Sequence, residues 1–460
     1  MKTESLKNKG HCRFWCLLGT LLLLIMTRYA FQVDIPRVVL LAVIGVIALL
    51  GDRDEIIAMC ICFIPMHESI DFFYALVLCT AVYILKYHQK IHIGSSVLLV
   101  VIITVWELLH CFFTDFSVID LLTYIIPFVV IAVLMSSDTE GLNYSFVVRA
   151  FAWSTCGISL VLLVRVLHYS GYNITVALAG LRRLGSDLHS NVQDVAISGG
   201  QINPNSLGII TVLAATGLMQ LRSMNLARKD DMILMCVMVV LAALGTSRTY
   251  LACLALMILL LIFSEKGSWK KKLRLTAVLL LAIITGVVAM KVLFPDTFRY
   301  FISRFQVDDL TTGRDSLMVQ YHRFIFDNPR VLLFGIGLQD YGNRLIHFYR
   351  VAINAPHNSI QELIIAWGIP GLLLFATLFF NMYRTSSHKN KKQSLINWIP
   401  LIIILLKSIV GQLLTSPYTM LALLFAYLSL CTDMSPKDEQ CTFTHSQVSS
   451  GSCEKNKKIY

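Results

Sequence analysis

The sequence predicts an all-α, polytopic integral membrane protein, and three observations support that fold class. Of the 460 residues, 56% are hydrophobic and only 15% are charged, with a mean hydropathy of +0.68, which is far from the usage of soluble globular proteins. Apolar runs recur between clusters of charge, and a helix needs about 20 mostly apolar residues to cross the hydrocarbon core. Basic residues fall in alternate loops, as expected when a chain crosses a membrane repeatedly.

The apolar runs predict 12 to 14 transmembrane helices. We expect the run at 14–31 to be a retained span, because no small-residue cleavage site follows it. The run at 55–66 is the weakest, since at about 1.5 Å per residue it is shorter than a core of about 30 Å. We expect it to be re-entrant or half-buried. The candidate spans are 14–31, 36–50, 55–66, 69–85, 96–114, 118–135, 147–168, 204–221, 231–246, 249–263, 276–294, 358–381, 396–414 and 417–432.

The basic loops predict the orientation of the chain. Under the positive-inside rule they are cytoplasmic, so both termini are expected inside and the two long loops outside. The predicted organisation is N-terminal helices at 1–168, an outer loop at 169–203, central helices at 204–294, a large outer loop with an amphipathic helix at 295–357, C-terminal helices at 358–432, and a disordered cytoplasmic tail at 433–460. The net charge of +11 therefore indicates topology, and no nucleic-acid partner is expected.

The two long outer loops contain arginine but no lysine. Guanidinium groups bind phosphate and carboxylate through two parallel hydrogen bonds, whereas an ammonium is a point charge. The loops thus favour an anionic ligand, although each arginine could instead balance a loop aspartate. Arg182 and Arg183 are adjacent with no apolar reason to be so. The loop arginines are Arg182, Arg183, Arg299, Arg304, Arg314, Arg323, Arg330, Arg344 and Arg350.

Arg314 and Arg248 are the two arginines in the most unusual settings. Arg314 begins a predicted helix that ends before Pro329, and helical spacing places it on the same face as Tyr321 and Ile325. An arginine on an apolar face needs a partner, either an aspartate or an anionic substrate. Arg248 lies in a short polar turn within the apolar stretch 232–263, where a charge near membrane depth is costly and tends to be functional; snorkelling to headgroups is the alternative.

The stretch from Asn354 to Glu362 enters the span at 358–381 after the longest hydrophilic loop. Asn358 or Ser359 can cap the helix, with Gln361 or Glu362 at capping-box spacing. The helix start offers free N–H groups to an anion. His357 lies beside it, and a histidine can accept a proton near neutral pH.

Three glycine-containing segments and the cysteines complete the candidate list. Gly335-Ile336-Gly337 predicts a turn where backbone can approach a ligand, and Gly368 and Gly371 with Pro370 predict a kinked, closely packed face. Cys60 and Cys62 are expected to be small buried hydrophobic residues, with no structural disulfide and no metal site.

Together these stretches resemble the O-antigen ligase and polysaccharide polymerase superfamily of bacterial envelope enzymes. The resemblance covers roughly residues 180–385. It depends on His357-Asn358 followed by Gly368 and Gly371, Thr312-Gly313-Arg314 followed by Gly335-Ile336-Gly337, Pro204-Asn205 with Gly208, and Ser247-Arg248.

The resemblance implies a metal-independent, inverting glycosyltransferase of the GT-C type without a cofactor. It implies His357 as the base, Arg248 and Arg314 on a pyrophosphate, and Arg183, Arg182 and Asn358 as further binding residues. The implied partners are an undecaprenyl-pyrophosphate-linked oligosaccharide donor and acceptor, the lipid bilayer, a flippase and chain-length regulator proteins. The implied location is the outer face of the cytoplasmic membrane.

The expected function is a polymerase for capsule, exopolysaccharide or O-antigen. The alternative is an O-antigen ligase or protein O-oligosaccharyltransferase that uses the same site. A glycolipid flippase or transporter is a third reading, in which Glu107 and His110 would form a proton relay. Against it, charge concentrates in an outer loop and no repeated half is visible. We expect Glu107 and His110 to make interhelical hydrogen bonds instead.

Overall fold

The computed structural model describes the helical core of the chain and parts of its loops. The described residues are 11–91, 94–111, 118–137, 141–174, 184, 202–245, 247–264, 269–293, 295–303, 306, 314–338, 345–346, 351–352, 358–389, 395–411 and 417–432. His357, Arg182 and Arg183 lie outside them. Arg314 is described in its backbone only.

The first part of the described chain consists of seven helices. They are α1 (Cys12–Tyr29), α2 (Arg37–Leu50), α3 (Arg53–Met66), α4 (Phe72–Tyr87), α5 (Ser95–Cys111), α6 (Val118–Met135) and α7 (Tyr144–Tyr169). A short 3-10 turn, His88–Lys90, follows α4.

The second part begins with α8, whose start is preset by a proline in the first turn and capped by Asn203. Its helices are α8 (Pro204–Ser223), α9 (Lys229–Ala243), α10 (Arg248–Ser264), α11 (Trp269–Leu293), α12 (Pro295–Ser303), α13 (Arg314–Asp327), α14 (Pro329–Phe334), α15 (Ser359–Lys389), α16 (Leu395–Val410) and α17 (Pro417–Cys431). Between α14 and α15, Leu345–Ile346 and Val351–Ala352 pair as a two-residue antiparallel hairpin.

The all-α membrane fold predicted from the composition is confirmed. Four helices are long and apolar enough to cross a membrane, within the described residues: Cys12–Tyr29, Tyr144–Tyr169, Pro204–Ser223 and Ser359–Ser387. Six shorter apolar helices, of 10–17 residues, accompany them. The total of 12 to 14 crossings stays a prediction.

Helix α3 occupies the centre of the bundle. Its side chains from Ile56 to Met66 are buried all round, as is typical of a helix that is hydrophobic on every face. It starts with a capping box, in which Asp52 Oδ1 accepts from Glu55 N (2.9 Å) and Glu55 Oε2 accepts from Asp52 N (3.2 Å). The expected half-burial of the run at 55–66 is wrong, because neighbouring helices, α7 above all, enclose it; a re-entrant course stays a prediction.

Buried polar side chains fix how α7, α8, α16 and α17 align. Gln220, near the end of α8, donates to Ile396 O at the start of α16 (2.9 Å) and accepts from Tyr144 Oη at the start of α7 (2.5 Å). Asn397 in α16 donates to Ser429 O near the end of α17 (2.7 Å). The start of α8, the end of α16, the start of α17 and the end of α7 therefore share the opposite end of the bundle.

Candidate functional site

Asn358 caps the start of α15. Its Oδ1 accepts from the backbone N–H groups of Ile360 (2.9 Å) and Gln361 (3.2 Å), which confirms the predicted cap. Gln361 does not complete a capping box, because its Oε1 accepts no hydrogen bond within the described residues. Its Nε2 lies 3.3 Å from both Met318 O and His322 Nδ1 on α13. The side chain thus joins α15 to the helix that Arg314 begins.

The same helix start is tied to the end of α16. Asn358 Nδ2 donates to Ile409 O (3.4 Å), and Ser359 Oγ donates to Gly411 O (3.1 Å). Since α16 ends where α17 starts and where α8 begins, this places Asn358 at the end of the bundle just defined. We call this end the site end. His357 is the covalent neighbour of Asn358.

Lys407 is a buried cation at the site end, and sequence reasoning missed it. It is only 6% exposed, one turn before the end of α16. Its Nζ donates to Thr419 Oγ1 (2.9 Å) and lies 5.0 Å from the centre of the Tyr418 ring. The signal was present in the sequence as a lone charge inside the apolar run 396–414, a setting that usually indicates function.

His67 extends this cluster from the turn after α3. Its ring centre lies 5.0 Å from that of Tyr418, and its Nδ1 donates to Ile64 O (2.8 Å). Burial, reinforced by the charge of Lys407, lowers the pKa of His67 from 6.5 to about 4. The imidazole is therefore neutral at neutral pH, and the positive charge of this cluster lies on Lys407.

The turn before α10 brings two of the predicted motifs together. Ser247 Oγ donates to Asn205 Oδ1 (2.6 Å) and accepts from Tyr250 N (3.1 Å), so it joins the starts of α8 and α10. Arg248, the first residue of α10, is partly exposed beside this contact. Since Asn205 is in the first turn of α8, Arg248 belongs to the site end as well.

A second loop reaches the same turn. Leu184, which follows Arg183 in sequence, is fully buried, and its N–H donates to Leu244 O (3.0 Å). Leu244 lies four residues before Arg248 in the sequence. The described residue next to the predicted arginine pair therefore contacts the Arg248 turn, while the pair itself stays a prediction.

Helix α13 presents the apolar face that its spacing predicted. Tyr321 and Ile325 are 4% and 3% exposed, and Gln361 contacts Met318, one turn after Arg314. These contacts place the helix that Arg314 begins against the start of α15. The partner of the arginine stays a prediction.

The turn Gly335-Ile336-Gly337 binds the backbone of α15. The expectation that this turn approaches a ligand is therefore wrong for the N–H groups of Ile336 and Gly337. Ile336 N donates to Ile365 O and Gly337 N to Ala366 O, both at 2.8 Å. Those carbonyls are free because α15 breaks at Gly368, where φ is +64°, and because Pro370 has no N–H to donate to Ala366 O. A side chain is not tolerated at Gly335, since an added Cβ would lie 2.3 Å from Ala366 O.

Glu107 and His110 hold this junction in place. The Glu107 carboxylate, 1% exposed, accepts from Leu338 N (2.9 Å) and from Trp367 Nε1 (2.6 Å). His110 Nε2 lies 2.7 Å from Phe334 O. The predicted interhelical hydrogen bonds are therefore confirmed, and both groups serve to join α5, α14 and the kink of α15.

One group of side chains has the spacing of metal ligands in the described part of the chain. The ligand atoms of His11, Asp52 and Glu55 lie within 4.8 Å of one another. The two carboxylates already form the capping box of α3, and His11 Nδ1 is 3.0 Å from Glu55 Oε1. This group is at the start of α3, whereas His67 at the site end follows the end of α3.

The fold and these contacts define an all-α polytopic membrane protein in which Arg248, Asn358 and Lys407 lie at the same end of the bundle. Residues 232–376 match the family described as O-antigen ligase, and this segment contains Arg248, Arg314, His357 and Asn358. The resemblance inferred from the motifs is thus confirmed for that segment, and it indicates a bacterial membrane protein with ligase- or polymerase-type activity. No curated protein matches the chain.

Proposed function

We propose that the chain is a polysaccharide polymerase. It transfers a glycan from undecaprenyl pyrophosphate onto another lipid-linked repeat unit, on the outer face of the cytoplasmic membrane. The observation that supports this most is the convergence at the site end of the capped α15 start, the Arg248 turn and buried Lys407. These are the positive and hydrogen-bond-donating groups that an anionic leaving group requires.

In the proposed reaction, a hydroxyl oxygen of the acceptor sugar attacks the anomeric carbon of the donor. His357 takes the hydroxyl proton as the new C–O bond forms. The bond from the anomeric carbon to the pyrophosphate oxygen breaks on the opposite face, and the electron pair leaves with the lipid pyrophosphate. The configuration is therefore inverted, and no metal is required.

The positive groups of the site would stabilise that leaving group. Arg248 and Arg314 bind the pyrophosphate oxygens, and Lys407 adds a buried positive charge behind the α15 start. Charge stabilisation at a developing anion is typically worth about 10² to 10³ in rate for one donor. Asn358 positions the helix start, and Arg183 and Arg182 bind the glycan.

The test compares matched substitutions in cells at equal protein levels. His357→Ala and Arg314→Ala should abolish long polymer while lipid-linked single repeats accumulate. The matched controls are His88→Ala, an exposed histidine, and Arg323→Ala, an exposed arginine of α13; both should retain polymer. Undiminished polymer in His357→Ala and Arg314→Ala would refute the proposal.

The ligase alternative is favoured by the description of the matched family itself. In that reading the same site transfers the glycan to a lipid A core or to a protein serine. Purified protein supplied with lipid-linked donor alone separates the two functions. A polymerase extends the donor without any other acceptor, whereas a ligase releases no product until the acceptor is added.

A further inference from the structure

Two arginines outside the matched segment, Arg28 and Arg165, lie near the ends of α1 and α7; the first is half-buried and the second is buried. Arg28 is in the last turn of α1, and Arg165 is one turn before the end of α7 and only 5% exposed. Both fall within apolar runs that the sequence predicts as membrane spans. An arginine in such a segment is costly and usually has a specific partner.

Aromatic contacts show that the two arginines lie at the same level. The rings of His11 and Phe146 stack at the starts of α1 and α7, with centres 4.0 Å apart. At the other ends, the ring of Phe31 meets that of His168, with centres 5.8 Å apart. The helices are therefore parallel. Arg28 precedes Phe31 by three residues, and Arg165 precedes His168 by three residues.

The guanidinium groups of both residues include nitrogens that are buried and unsatisfied. Within the described part of the chain, Arg28 Nε, Arg28 Nη1 and Arg165 Nε have no hydrogen-bond partner. Each guanidinium carbon instead lies over a tyrosine ring, 5.4 Å from that of Tyr29 for Arg28 and 5.8 Å from that of Tyr169 for Arg165. A ring face satisfies none of these N–H groups.

Arg149, on the same helix as Arg165, shows how the chain treats a structural arginine. Its Nε donates to both carboxylate oxygens of Asp231 (3.0 and 3.2 Å), and its Nη2 donates to Leu226 O (2.7 Å). A buried charged donor without a partner is strongly destabilising. The contrast indicates that Arg28 and Arg165 are satisfied by a ligand.

We propose that Arg28 and Arg165 bind the phosphate group of a membrane lipid. Guanidinium groups match phosphate oxygens with paired hydrogen bonds. The setting favours a lipid, because this part of the chain exposes apolar side chains: Leu23 in α1 is 63% exposed, and Phe31, which follows α1 and contacts His168, is 39% exposed. A polyprenyl phosphate and a glycerophospholipid both offer the required chemistry. By the alignment of the helices, α7 ends at the site end of the bundle, so the lipid would bind there.

The test measures lipid binding and thermal stability of the purified full-length chain. The probes are undecaprenyl phosphate, undecaprenol, phosphatidylglycerol and inorganic phosphate. Undecaprenyl phosphate or phosphatidylglycerol should raise the melting temperature, and undecaprenol should not. Arg165→Met and Arg28→Met should each weaken binding of the phosphate lipid at least tenfold, which corresponds to about 1.4 kcal/mol. Arg222→Met, an exposed arginine of α8, should bind as the unmodified chain does.

The two phosphate lipids identify the occupant, and the variants decide the proposal. A larger stabilisation by undecaprenyl phosphate assigns the site to a polyprenyl carrier, and a larger one by phosphatidylglycerol assigns it to a bilayer phospholipid. Without added phosphate lipid, Arg165→Met should melt at the same or a higher temperature, because it removes an unsatisfied buried charge. Three results would each overturn the proposal. The first is a marked fall in the melting temperature of Arg165→Met without phosphate lipid, and the second is binding of the phosphate lipid by both variants as tightly as by the unmodified chain. The third is stabilisation by inorganic phosphate equal to that by the phosphate lipids.

Discussion

Replacing Glu107 by glutamine tests whether the buried carboxylate holds the junction between α5, α14 and α15. The carboxylate accepts from Leu338 N and Trp367 Nε1 at 2.9 and 2.6 Å. Leu338 N also lies 3.0 Å from Oε2, the oxygen that accepts from Trp367. In either orientation of a glutamine, its NH₂ group therefore faces an N–H donor in place of a carboxylate oxygen. One charge-assisted bond, worth about 1.5–3 kcal/mol, is lost, and the buried N–H left behind adds about 1–3 kcal/mol.

We therefore expect Glu107→Gln to reduce the stability of this junction by about 3 kcal/mol. Hydrogen exchange of the backbone amides of Ile336, Gly337 and Leu338 reports it directly, because their N–H groups are protected only while the junction is closed. A loss of about 3 kcal/mol corresponds to roughly 150-fold faster exchange. Glu68→Gln, at a largely exposed carboxylate, should leave the exchange of these amides unchanged.

A double-mutant cycle isolates the bond from Trp367. Trp367→Phe removes the indole N–H while keeping an aromatic ring in the space. If the bond exists, the effects of Glu107→Gln and Trp367→Phe should be non-additive by about 1–2 kcal/mol. Additivity within about 0.3 kcal/mol, or unchanged exchange in Glu107→Gln, would refute this account of the junction.

Three further predictions concern the site end and its support. Lys407→Met should lower the transfer rate by about 10² while Lys407→Arg retains more of it, in an assay with purified lipid-linked donor; equal rates would contradict a role for the charge. Gly368→Ala should cost at least about 1–3 kcal/mol, because its φ of 64° with ψ of −165° is essentially restricted to glycine; thermal unfolding measures this, with Gly19→Ala, where an added Cβ meets nothing, as control. The pKa of His67 is about 4 in the folded chain and 6.5 for an ordinary histidine, so between these pH values the unfolded chain binds a proton that the folded chain does not. The free energy of unfolding should therefore fall as the pH drops from 6.5 towards 4, and His67→Asn should flatten that decline.

The sequence by itself determined the fold class and the local signals of the site. Apolar runs have a length that only a membrane or a large core explains. The cap at Asn358, the proline start of α8 and the apolar face of Tyr321 and Ile325 follow from hydrogen bonds and helical spacing within a few residues. Such short-range causes can be seen in a linear chain, and the structure confirms each of them.

Only the tertiary structure decided which distant residues meet. Glu107 contacts Leu338 across 231 positions, and no spacing rule connects them. The N–H groups of Ile336 and Gly337 are occupied because Gly368 and Pro370 interrupt α15 and free two of its carbonyls. The depth of Lys407 and the unsatisfied guanidinium groups of Arg28 and Arg165 depend on which helices surround them. Burial and partnership are properties of packing, so the sequence could mark these charges as unusual but could not show what lies beside them.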